Sequence, residues 1–174
     1  MAKITVFQGY TGDRPPSIPK PDQPVDPMIV NVQDGVPVAY PGCHGLGVRV
    51  VHPVNPKAPA KNLGLVMFYV PPHVVLEPGS HETEETYCIL EGSGRMTFAN
   101  FQRDVKKGDF VYLPPWCVHG IENTGTETLV VLIATSPPQT ADASNRRSTC
   151  SPGIRIVPSS VKPSFFSKLI DRSL

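Results

Sequence analysis

Proline interrupts this chain too often for a helical architecture. There are 21 prolines among 174 residues, with 14 glycines interspersed. An interior proline removes a backbone donor and breaks a helix. With many β-branched residues between the breaks, the pattern favours short strands joined by stiff turns. Hydrophobic residues make up 40% and charged residues 18%, proportions that suit a packed globular core. The length fits one domain better than two.

Three regions follow from the punctuation. Residues 1–28 read as an extended arm: after a possible strand at Ile4–Phe7, the run RPPSIPKPDQPVDP has prolines too closely spaced for helix. Residues 29–136 read as an all-β domain of sandwich or barrel type. Its candidate strands are Met28–Gln33, Val36–Tyr40, Leu46–His52, Leu65–Val70, Val74–His81 and Glu85–Leu90. They continue with Gly94–Ala99, Gln102–Val105, Phe110–Leu113, Val118–Glu122 and Leu129–Thr135. Asn100-Phe101 and Asn123-Thr124-Gly125 have the composition of hairpin turns. Residues 137–174 read as a polar loop and then a short helix, FFSKLIDRSL, capped by Ser164, with Phe165, Phe166, Leu169 and Ile170 on one face.

Charge and apolar patterning remove several function classes. The formal net charge is +1, and the densest basic spot is Arg146-Arg147; no nucleic-acid partner is expected from so little. No uninterrupted apolar stretch reaches spanning length, so no membrane role is expected. The opening MAKITVFQGYTGDRPP lacks the apolar run of a signal peptide. Cys43, Cys88, Cys117 and Cys150 fit neither a metal knuckle nor a disulfide framework. These features predict a cytoplasmic protein with free thiols.

The chemistry concentrates in HETEETYCILEG (81–92) and GDFVYLPPWCVHGIEN (108–123). His81, Glu85 and His119 are a donor set that one divalent metal could collect while keeping other positions open. Singly, each reads as ordinary structure, His81 as part of a solvated acidic turn and His119 as a satisfied histidine. In a continuous strand His81 and Glu85 would stand roughly 13 Å apart. They can meet only if Glu82-Thr83-Glu84 turns the chain, which would set them opposite each other on antiparallel neighbours. Alternation then sends Val75, Glu77, Gly79 and His81 to one face, and Glu85, Tyr87 and Ile89 to the facing surface.

These stretches resemble the two motifs of the cupin superfamily, G-x5-H-x-H-x3–4-E-x6-G and G-x5-P-x-G-x2-H-x3-N. The second is matched by Gly108, Pro114, His119 and Asn123, with Trp116 in place of a glycine. The first is matched by His81, Glu85 and Gly92, with His73 in place of its glycine and Gly79 in place of its first histidine. The resemblance covers about residues 64–135. It implies a single cupin-type antiparallel β-barrel with a jelly-roll course, and the metal inside one end. It also implies a homodimer, and a ligand set reduced to His81, Glu85 and His119.

That reduced set suits a non-haem iron oxygenase. The expectation is therefore an Fe(II) dioxygenase that cleaves an aromatic ring or C–C bond of a small molecule. Mn(II), Ni(II) and Zn(II) are the other metals considered. The alternatives are a non-redox metal-dependent isomerase, decarboxylase, cyclase or aminohydrolase, and a non-enzymatic binder. Around the triad, Glu77 could be a fourth ligand, a general acid/base or a rim residue. Tyr87 could orient substrate or fill the gap beside Gly79. Cys117 could offer a thiolate or be inert packing, and Trp116 could shape the pocket mouth or cover the barrel end. A straight strand carries His73 about 20 Å from Gly79, so it is expected to cap a turn. Tyr112 and Phe98 are expected in the core.

Overall fold

The computed structural model describes residues 21–39 and 44–138. Residues 21–29 are exposed and carry no strand or helix. Ten strands follow: β1 (Val36–Val38), β2 (Leu46–Val51), β3 (Gly64–Val70), β4 (Val75–Gly79), β5 (Glu84–Glu91), β6 (Ser93–Phe98), β7 (Gln102–Lys106), β8 (Phe110–Leu113), β9 (His119–Glu122) and β10 (Leu129–Ser136). Met28–Gln33, expected as a strand, is not one. Its end enters a 3-10 turn, Val32–Asp34, closed by a reciprocal Asn31–Asp34 capping box.

The strands form two antiparallel sheets, one ordered β1-β2-β3-β10-β5-β8 and the other β4-β9-β6-β7. This corrects the expected closed barrel. Closure requires hydrogen bonds between terminal strands, and β1 and β8 of the larger sheet pair with neither β4 nor β7 of the smaller one. The molecule is a two-sheet sandwich whose layers are joined by side chains and connections. Among the described residues there is no α-helix; the short C-terminal helix expected over 165–174 lies outside them. No helix among the described residues is long and apolar enough to cross a membrane.

Alternation along the strands builds the core between the layers. Val66, Phe68, Val70, Tyr87, Ile89, Leu129, Val131 and Ile133 project from the larger sheet onto Met96, Val105 and Ile121 of the smaller one. Each fully buried aliphatic or aromatic side chain contributes roughly 1.5–3 kcal/mol. Odd-numbered residues of β10 face inward, and Val130 joins Val48 and Tyr69 in a smaller cluster on the opposite face. Phe98 packs against the main core. Tyr112 does not: it is 60% exposed, because β8 is an edge strand and this side of it faces outward.

Asn123 closes the passage from β9 to β10. That passage leads from one sheet to the other, so Asn123-Thr124-Gly125 is a crossover turn rather than a hairpin. Fully buried, the Asn123 amide donates to the carbonyls of Val70 at 2.7 Å and Glu127 at 2.8 Å, and its oxygen accepts from Gly125 N–H at 2.9 Å. Asn123→Ala would strand those buried backbone groups. The expected loss is about 2–4 kcal/mol of unfolding free energy with an unchanged m-value, measured by urea titration. A loss below about 1 kcal/mol would show that the turn is held by other contacts.

Candidate metal centre

His81, Glu85 and His119 do converge. Each offers one ligand atom, and these atoms all lie within 4.8 Å of one another. Glu85 Oε2 is 3.6 Å from His81 Nε2 and 3.5 Å from His119 Nε2. The imidazoles meet edge to face, with centroids 5.1 Å apart. Metal–ligand bonds of about 2.0–2.2 Å place adjacent ligand atoms roughly 3.0–3.5 Å apart, so Glu85 already stands near ligand spacing from both imidazoles.

The route to convergence differs from the expected hairpin. β4 pairs with β9, and β5 pairs with β10 and β8. His81 and Glu85 therefore flank a crossover between sheets and are not cross-strand neighbours. The register of β4 against β9 shifts between Leu76 and Gly79, around Pro78, which has no N–H to give to a ladder. That slip breaks the two-residue alternation. Leu76 and His81 line the site cavity, whereas Val75 and Glu77 are exposed.

Hydrogen bonds set the chemistry of both imidazoles. His81 Nδ1–H donates to the Thr83 carbonyl at 3.0 Å, and His119 Nδ1–H to the Cys117 carbonyl at 2.9 Å. A carbonyl oxygen can only accept, so each Nδ1 carries a proton, and in its uncharged form each ring turns an Nε2 lone pair toward Glu85. Three acceptors then face one another, Glu85 and His119 being only 6% and 9% exposed. Only a cation between them, a proton or a metal ion, makes that arrangement favourable. The chemistry of the donor set thus fits a divalent metal. Burial pulls the His119 pKa down most strongly. The Glu85 hydrogen bond, the Cys117 carbonyl and the Glu85 charge together outweigh it, leaving the pKa above the ordinary 6.5.

Backbone contacts hold the ligands in place. Trp116 N–H donates to the His81 carbonyl at 2.7 Å, tying the segment before β9 to the crossover. Trp116 adopts φ 66°, the left-handed region that favours glycine, at the position where the motif has glycine. Its side chain is 66% exposed and does not line the cavity. A Cβ on Gly120, beside His119, would stand 2.6 Å from the Leu76 carbonyl oxygen and 2.8 Å from Pro78 N. Only glycine lets β4 and β9 approach so closely.

Tyr87 is buried, lines the cavity and meets the His119 ring edge-on at 5.8 Å. Glu77 lies off the cavity wall. Cys117 touches His119 through its carbonyl, and its thiol, like that of Cys88, is free. His73 sits exposed in the turn after Pro71-Pro72 with φ 61°, and its N–H donates to the Asn123 carbonyl. Gly79 pairs directly with His119, so the position without a side chain adjoins the ligand.

His81 and Glu85 line a cavity of about 170 Å³. Its wall includes Arg49, His52 and Thr135, none singled out by the sequence. The one sign of Arg49 is a charge set between the valines of LGVRVV. His52 accepts from Val54 N–H on Nδ1 at 3.3 Å. The neutral ring therefore carries its proton on Nε2, opposite to the two ligand histidines.

Residues 66–135 match the family model described as a cupin domain. A stretch of 58 residues, 33% of this chain, is 48% identical to an uncharacterized protein of Methanocaldococcus jannaschii. The match spans 46% of that relative's length. The fold overlays on the polyketide cyclase RemF from Streptomyces resistomycificus with TM-score 0.56 and 21% identity, covering 80% of this chain and 92% of that one. A predicted oxalate decarboxylase from Thermotoga maritima overlays with TM-score 0.54 and 22% identity, over 63% of this chain and 99% of that one. An oxalate decarboxylase variant from B. subtilis does so with 0.57 and 22%, over 69% and 32%. At these identities the structural likenesses establish the fold alone.

Two outcomes are expected of the centre. His81→Ala and His119→Ala should each weaken divalent metal binding by more than about 100-fold, beyond the loss typical of a partner one bond removed from the metal. His73→Ala should leave it intact; metal analysis after dialysis checks all three. Because the His119 pKa is raised, a proton competes with the metal below it, so affinity should climb with pH and level off above that pKa. Chelated protein should behave oppositely. The stabilisation from protonated His119 is full below 6.5 and is lost as pH rises through the folded pKa. Parallel pH series of thermal unfolding, with and without metal, would show the two trends.

Proposed function

We propose, from the premise that residues 66–135 form a cupin domain, that the protein is a metal-dependent enzyme acting on a small organic molecule by non-redox chemistry. The observation that carries this reading is the convergent His81–Glu85–His119 triad, with His81 and Glu85 lining a cavity. A divalent ion held there supplies Lewis acidity and vacant coordination positions. Mn(II), Ni(II), Zn(II) and Fe(II) all suit two imidazoles and a carboxylate.

The chain's own groups do the rest. Val66, Phe68, Leu76 and Ile133 line the cavity and exclude water, which strengthens every charge interaction inside. Tyr87 is assigned the orienting role, since its ring adjoins His119. The exposure of Glu77 leaves it at the rim. Decarboxylation and cyclisation are the favoured reaction types, supported by the oxalate decarboxylases and the polyketide cyclase that share the fold.

A second reading, an Fe(II) dioxygenase cleaving an aromatic ring or C–C bond, is favoured by the donor set itself, which leaves adjacent positions for substrate and dioxygen. Oxygen uptake separates the two. The metal-loaded protein would be offered small oxo acids, diketones and catechols in sealed cells under air and under argon. Turnover that persists under argon is expected. Turnover that stops without dioxygen and consumes it stoichiometrically under air would establish the oxygenase instead.

A further inference from the structure

We infer that Arg49 anchors a carboxylate group of the substrate, so that the cavity takes small organic acids held between this guanidinium and the metal triad. The inference deepens the proposed function and rests on the triad being a metal centre. Arg49 is 8% exposed and lines the same cavity as His81 and Glu85. Among the described residues, no carboxylate pairs with it and its side chain makes no hydrogen bond. A buried cation without a counter-charge is costly, and the guanidinium fork matches a carboxylate bidentately.

Register puts Arg49 and the triad on one concave face. Arg49 pairs with Val66, Val66 with Ile133, and Ile133 with Tyr87, one row across β2, β3, β10 and β5. In the same β10–β5 ladder, Thr135 pairs with Glu85. Arg49 thus stands three strands from the ligand strand, a backbone separation of roughly 14 Å that side chains shorten from both ends. The row between them is apolar, so a ligand is gripped at its ends and not along its middle. Thr135 adds a second unanswered group: its hydroxyl oxygen is buried without a hydrogen-bond partner.

Charge and volume agree on the ligand class. A divalent ion together with Arg49, set against the single carboxylate of Glu85, leaves the cavity with an excess of two positive charges. An anion held between the metal and Arg49 offsets that excess, by half for a monocarboxylate and fully for a dicarboxylate. The volume of about 170 Å³ is close to that of an apolar cavity of about 150 Å³ that takes one benzene molecule, which suits a ligand whose buried part is about that size.

The test is calorimetric binding to the metal-loaded full chain, with 2-oxobutanoate and its uncharged methyl ester as probes. The acid should bind the native protein at least about tenfold more tightly than the ester. Arg49→Met should weaken acid binding roughly 10- to 100-fold and leave ester binding and metal content unchanged. Arg49→Lys should fall between. Equal binding of acid and ester, or an Arg49→Met protein that holds the acid as tightly as the native one, would overturn the inference. If Arg49→Met does not fold, the acid–ester comparison and Arg49→Lys decide alone. Chelated protein separates this failure from that of the metal reading. Weaker but Arg49-dependent acid binding without metal supports the anchor whatever becomes of the triad. Full metal occupancy without acid preference sinks the anchor and leaves the triad standing.

Discussion

Everything at the site depends on three hydrogen-bond acceptors being made to face one another. Left alone, Glu85 and the two uncharged Nε2 atoms would separate or recruit a proton, since all three are acceptors. They stay together because each imidazole is pinned from behind, His81 by the Thr83 carbonyl and His119 by the Cys117 carbonyl. Trp116 N–H in turn holds the His81 carbonyl. Pre-organisation of this kind places the ordering cost in folding rather than in metal capture.

The same constraint explains several local irregularities. The slip in β4 turns Leu76 into the cavity and brings His81 round to Glu85 after a five-residue spacing that regular alternation would not allow. Gly120 permits the tight approach of β4 to β9 that this geometry demands. The left-handed backbone at Trp116 aims its N–H at the crossover. Each is unfavourable locally, and each serves ligand placement.

The sequence discloses local and periodic features, and the structure departs from it where distant segments choose partners. Most strands from Leu46 to Thr135 fall within a residue or two of the alternating runs, because alternation records which side of each strand is buried. The His81–Glu85–His119 trio was legible because the chemistry requires those side chains at a motif spacing. That β4 would pair with β9 instead of β5 was not legible, since pairing is settled by long-range packing that no short window contains. The same ignorance of neighbours hid the exposure of Tyr112 on an edge strand and of Glu77 beside a register slip. Arg49 was the hardest to see. A lone charge between valines reads as the solvent side of a strand until the opposite sheet is known to cover it.

Because the two layers are not joined into a closed hydrogen-bonded cylinder, they meet through side chains and connecting segments. Glu85 belongs to the larger sheet, His119 to the smaller, and His81 to the strap between them. An ion bound by all three is therefore a rivet through both layers. Parting the sheets at that end would mean breaking metal–ligand bonds, whereas the opposite end is held by apolar packing and by the Asn123 hydrogen bonds to the Val70 and Glu127 carbonyls. The two ends of the sandwich would therefore be closed by different means, coordination at one and a buried amide at the other.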